Sequence, residues 1–106
     1  MKTVHHDKLV RDLIPEIILH AGKNPVTARI PDEEMPDALD SKLSEEVQEY
    51  LESHSTEELA DILEVLHGIA FHRGICWEEI ERIRLQKRGE RGGFEKGIRL
   101  IDVICE

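Results

Sequence analysis

Apolar residues recur along most of this chain every three to four positions, the period of a helix with one buried face. Lys8 to Ala21 predicts a helix with Leu9, Leu13, Ile14, Ile17 and Ile18 on one side. Pro15 marks an early kink or a delayed start, and Gly22 closes it. Asp37 to Glu52 carries Leu39, Leu43, Val47, Tyr50 and Leu51 at helical spacing and predicts a strongly amphipathic helix. Ser53-His54-Ser55 is a tight break, and Ser55 then starts a second such helix that runs to Arg73, with Gly74 at its end. Trp77 to Arg88 predicts a third through Ile80, Ile83 and Leu85. The pattern lapses twice. Val26 to Ile30, between prolines, suggests a loop with one short edge strand, and Ile98 to Ile104 a short strand or extended tail after a basic loop at Gly89 to Gly93. The chain is expected to be all-α, with at most short extended segments near 26–30 and 98–104.

At 106 residues the chain can bury one aliphatic core but not two, so it reads as a single domain, 1–106. No apolar run approaches the roughly 20 residues that span a bilayer, and no secretory signal is visible at the start. Cys76 and Cys105 lie outside any zinc-ligand spacing and read as half-buried, reduced thiols of a cytoplasmic protein.

Charge changes the picture more. The chain holds 23 acidic and 14 basic residues, a net charge of -9, and the two are segregated. Asp32 to Glu64 contains thirteen acids and one base, Lys42, whereas Arg73 to Arg99 contains eight bases and five acids. An acidic centre of this kind disfavours duplex nucleic acid as a partner and suits cations, or a ligand that brings them.

On a helix of about 100° per residue, Glu46 borders the apolar arc of the first strong helix and Glu49 follows one turn on, while Glu45 points away to solvent. On the second, Glu58 falls inside the apolar arc and Asp61 lies just beyond its edge. A short turn folds the two helices antiparallel, bringing Glu49 level with Glu58 and Glu46 level with Asp61, the two levels about 4.5 Å apart. Carboxylates facing an apolar neighbour without a partner are capped, protonated or bound to a cation. Oxygen ligands without His or Cys suit Mg²⁺ or Mn²⁺ rather than zinc. A plainer role exists for Glu58, since Ser55-Thr56-Glu57-Glu58 also fits a capping box.

These residues resemble the all-α nucleoside triphosphate pyrophosphohydrolases that include MazG and phosphoribosyl-ATP pyrophosphohydrolase. Glu45-Glu46-Val47-Gln48-Glu49 resembles that family's EExxE, and Glu58-Leu59-Ala60-Asp61 its ExxD. Lys8-Leu9-Val10-Arg11-Asp12 with Ile14-Pro15-Glu16, and Arg91-Gly92-Gly93-Phe94, are similar to the opening and close of a small MazG-like subgroup. The resemblance implies an antiparallel helical bundle that hydrolyses a nucleotide between its α and β phosphates, giving monophosphate and pyrophosphate with Mg²⁺. It implies metal ligands at Glu46, Glu49, Glu58 and Asp61, with Glu45 acting behind them or as a base. The connection from Glu49 to Glu58 is shorter than the family's, which leaves open a non-catalytic nucleotide-sensing or helical interaction module that retains the fold.

Phosphate charge left over by the metal calls for cations, for which Lys8, Arg11, Lys42, Lys87, Arg88, Arg91 and Lys96 are candidates. Gly92-Gly93 is not a P-loop, because no GxxxxGK[ST] pattern exists. Glu64 to His67 gives one ExxH where a di-iron bundle needs two. So much aliphatic helix surface in so short a chain points to a homodimer or homotetramer.

Overall fold

The structure is a computed structural model and describes residues 2–105. It falls into two compact units, 1–75 and 76–106. All regular structure among the described residues is helical.

The first unit holds α1 (Ile14–His20), a single 3-10 turn at Asp32–Glu34, α2 (Met35–Ser53) and α3 (Thr56–His72). Pro15 delays the start of α1 rather than kinking it: proline sits in the first turn, where its missing N–H costs nothing. Val26 to Ile30 forms no strand. Its β-branched residues have no second strand to pair with, and Val26 is wholly exposed.

α2 and α3 pack on one another across a connection of two residues. His54 makes that connection possible by adopting the left-handed conformation, φ 55° and ψ 27°, while its N–H donates to the Tyr50 carbonyl at 2.7 Å. Ser55 then caps α3, its hydroxyl accepting the Glu58 N–H at 3.4 Å. The reciprocal half of the capping box is not formed. The Ser55 N–H donates instead to the Ser53 hydroxyl at 3.2 Å, which leaves the Glu58 side chain free to turn elsewhere. Ser55→Ala should lower stability by about 1 kcal/mol, the usual worth of an N-cap. A thermal melt unchanged by the substitution would contradict the capping role.

The helix pair is locked by close approach. Gly68 lets the Leu39 side chain lie directly on α3, where even a methyl group would sit 3.2 Å from Leu39 Cδ2. Leu39, Val65 and Ala70 form the buried apolar core, and Arg73 reaches Asp40 at 3.6 Å. Much apolar surface stays open: Leu13 just before α1, Ile17 on α1, Leu51 on α2, and Leu59, Leu63 and Phe71 on α3 are all more than a third exposed.

The second unit holds α4 (Trp77–Arg91) and the segment after it. The segment from Gly89 to Gly93 is not a loop throughout, because α4 continues through Gly89 and ends only at Gly92, whose φ is 83°. Residues 98–104 form no strand and are exposed. Cys76 and Cys105 are exposed free thiols rather than half-buried ones. Neither helix packing nor a sheet reaches them, and the Cys76 thiol donates to the Glu78 carboxylate at 2.7 Å. No helix among the described residues is long and apolar enough to cross a membrane.

Candidate metal centre

The facing sides of α2 and α3 bring five carboxylates together in two overlapping groups. Glu45, Glu46 and Glu49 each offer an oxygen within 4.8 Å of the others, and so do Glu46, Glu58 and Asp61. Glu46 belongs to both groups and is the most deeply buried of the five, with 6% of its surface exposed. Its place follows from the helix period: seven residues after Leu39, it shares that residue's edge of the stripe turned toward α3.

Glu46 is held by one partner on one side only. Lys42, one turn earlier on α2, approaches Glu46 Oε1 at 3.2 Å, while Glu46 Oε2 is buried without a hydrogen-bond donor. Glu58 Oε2 is likewise buried and unpartnered. A buried carboxylate oxygen without a donor carries its desolvation cost uncompensated, so a gap holding two of them could take up a cation. Hard oxygen donors of this number and kind fit Mg²⁺ or Mn²⁺.

Three of the expected phosphate-binding cations lie in the same place, but on the carboxylates. Lys8 Nζ meets Glu45 Oε1 at 3.1 Å, and Lys42 meets the same atom at 3.3 Å. Arg11 donates to Asp61 Oδ1 at 2.7 Å. With Val10 and Ile14 they line a groove of about 300 Å³ beside Glu46 and Asp61. Glu45 therefore does not point into solvent. The helical wheel places it outward, yet Lys8, from a segment the wheel does not contain, folds over it. Val10 and Ile14 read from the sequence as part of an opening motif and of an apolar helix face, not as the lining of a groove, because an apolar residue beside a helix start looks like ordinary core.

The charges on the two sides respond to this arrangement in opposite senses. Burial acts to raise the Glu45 carboxyl, but the Lys8 hydrogen bond and the Lys42 charge outweigh it and hold it below its ordinary value. Desolvation acts to lower the Lys42 ammonium, and the hydrogen bond to Glu46 with the charge of Glu45 pushes it above its ordinary value. Glu58 is raised, first by desolvation, then by the charges of Glu49, Asp61 and Glu46 and by a hydrogen bond with Glu49. α3 thus presents a carboxyl that resists ionising among other carboxylates.

The sign of the linked stability follows. Because the folded chain binds the Glu58 proton more tightly than the unfolded chain does, the contribution is complete below the ordinary value of 4.5 and is lost as pH rises through the raised one. In metal-free buffer, urea titrations of the wild type and of Glu58→Gln should differ by a component of stability that the wild type loses across that window and the variant lacks. A variant whose pH profile matches the wild type would place the effect elsewhere.

The remaining expected cations are in the second unit. Lys87, Arg88 and Arg91 line one groove there with Arg84, Gly92, Gly93 and Phe94, and Lys96 is exposed in the segment that follows. His72 is half-buried on α3, its ring edge-on to Phe71 at 5.0 Å between centroids.

No protein-family model matches the chain, and no solved structure matches it. An uncharacterised protein of Mycolicibacterium smegmatis is 52% identical to it over 42 residues, which are 40% of this chain and 43% of that protein. The chain is thus similar, over a stretch spanning less than half of that relative's length, to a protein whose description assigns no activity.

Proposed function

We propose that the chain is a Mg²⁺-dependent nucleoside triphosphate pyrophosphohydrolase, MazG-like in its motifs, that cleaves a nucleotide between the α and β phosphates. The observation that carries this reading is the pair of buried, donor-less oxygens, Glu46 Oε2 and Glu58 Oε2, within one group of converging carboxylates. The EExxE and ExxD spacings that resemble the MazG-like enzymes fall on these residues. Mg²⁺ or Mn²⁺ would be held by Glu46, Glu49, Glu58 and Asp61. When bound, the ion supplies neutralisation of the polyphosphate, polarisation of its phosphorus and a lower pKa for the attacking water.

The chain's own residues supply the rest. Glu45, kept ionised by Lys8 and Lys42, is placed to accept a proton at its Oε atoms and to hold Lys42 against Glu46. Lys8 and Arg11 line the groove, where their donors can pass from carboxylate to phosphate. The open apolar surface on α1, α2 and α3 supports a homodimer or homotetramer, in which an antiparallel helical bundle is completed by a second copy.

The purified chain, incubated with standard, deoxy and modified nucleoside triphosphates and Mg²⁺ or Mn²⁺, should release pyrophosphate and the monophosphate from at least one of them. A folded protein that releases none with any of the panel refutes the reading. A second reading, a nucleotide-sensing or helical interaction module without catalysis, is favoured by the ion pairs that already hold Asp61 and Glu46. Calorimetry showing nucleotide binding with no turnover would select the sensor.

A further inference from the structure

The stretch from Lys8 to Arg11 reaches the acidic residues from far along the chain. Lys8 Nζ meets Glu45 on α2 at 3.1 Å, across 37 positions of sequence, and Arg11 donates to Asp61 on α3 at 2.7 Å, across 50. Each of the two overlapping carboxylate groups thus receives one cation from the same short stretch, which bridges the two helices.

Little else holds that stretch down. Among the described residues Lys8, Leu9 and Val10 make no backbone-to-backbone hydrogen bond; the first here runs from the Ile14 N–H to the Arg11 carbonyl at 3.1 Å. Leu9 is half-buried and Val10 more than a third exposed, so apolar burial is modest. The chain enters through Asp7, whose φ of 44° lies in the left-handed region that side chains adopt at a cost. The two ion pairs are themselves open to solvent: Lys8 and Arg11 keep 42% and 55% of their side-chain surface exposed, and pairs of that kind are weak. Lys8 is also redundant on its partner, since Lys42 reaches the same Glu45 oxygen at 3.3 Å.

A contact laid across both helices and held so lightly suits a closure that yields. We propose that Lys8 to Arg11 form a strap over the acidic cleft, and that the strap and a divalent cation exclude one another: Arg11 gives up Asp61, and Lys8 gives up Glu45, when the cation is taken up. Such a strap presupposes the ion-binding role proposed for Glu46, Glu49, Glu58 and Asp61, and it governs entry to them. The direction follows from charge. A guanidinium and a divalent ion on one carboxylate repel each other, and the singly charged, half-exposed partner gains less from that carboxylate than the doubly charged one. Letting go also returns backbone and side-chain freedom to Lys8 and Arg11 and relaxes the bend at Asp7. Lys42 belongs to α2 itself and stays on Glu45 and Glu46.

The test uses the full chain with Mn²⁺ alone as the probe. By calorimetry, Arg11→Ala and Lys8→Ala should each tighten Mn²⁺ binding, the first by about threefold or more. Arg29→Ala removes the same charge from a side chain paired with Asp32, a member of neither carboxylate group, and should leave the affinity within about twofold. Trypsin cleavage after Lys8 and Arg11, measured against cleavage after Arg29 in the same sample, should rise by about threefold when Mn²⁺ saturates the wild type, because the cut follows the released population. No Mn²⁺ binding by any of these proteins, failure of either strap variant to tighten it, an equal gain from Arg29→Ala, or a cleavage ratio indifferent to Mn²⁺ overturns the proposal. A strap released by Mn²⁺ in a chain that cleaves no nucleotide refutes the pyrophosphohydrolase alone. Nucleotide cleavage with the strap unmoved refutes the strap alone.

Discussion

On the proposed function, Glu46→Gln should reduce pyrophosphate release by about 100-fold or more, the order of loss when one preorganised electrostatic element of an active site is removed, while leaving the helix content intact. The substitution keeps the shape of the side chain, and the amide oxygen can still accept from Lys42. What changes is the free atom: Glu46 Oε2 is buried without a donor, and an amide nitrogen there would turn hydrogens toward Glu58 and Asp61 where an ion is expected. Because Glu46 alone belongs to both carboxylate groups, no neighbour can substitute for it. Mg²⁺ or Mn²⁺ should raise the melting temperature of the wild type and not that of this variant, since an ion that binds only the folded state stabilises it the more, the tighter it binds. Activity within twofold of wild type, with an unchanged metal-induced shift, would remove Glu46 from the centre and with it the functional reading.

Leu39→Ala should cost about 2 to 4 kcal/mol, in the range of buried leucine truncations, and lower the melting temperature by about 10 to 25 °C in a domain of this size. Among the described residues Leu39 is one of three buried apolar side chains in the first unit, and it lies against Gly68. Gly68 has no side chain of its own with which to fill the vacated volume. The loss is large beside the 5 to 15 kcal/mol that typically separates folded from unfolded domains. A shift of less than about 2 °C by circular dichroism would mean that the helix pair is held by something other than this contact.

The helix pair could be read from the sequence because two independent signals agree there. The spacing of Leu39, Leu43 and Val47 defines a face, and Ser53-His54-Ser55 interrupts it with residues suited to a cap and a left-handed bend. The segments that misled are those where local composition speaks without a partner. Val26-Thr27-Ala28-Arg29-Ile30 has strand-like side chains and no second strand, and Gly89 looks like a breaker although the arginines and glutamates around it carry α4 past it. Glu45 shows a different limit: periodicity assigns directions around one axis, and the ammonium of Lys8 arrives from outside that axis. The capping-box motif was half right for a reason that no spacing reveals, since the Ser53 hydroxyl takes the N–H that Glu58 was expected to serve.

The left-handed His54 makes the link between α2 and α3 as short as a helix reversal allows. One residue added there would rotate every α3 side chain by about 100° relative to α2, swinging Glu58 and Asp61 out of the cleft and aiming solvent-facing positions into it. Substitutions in this bend are therefore tolerable in ways that changes of length are not. The phase between the two acidic motifs is stored in a count of residues rather than in any one of them.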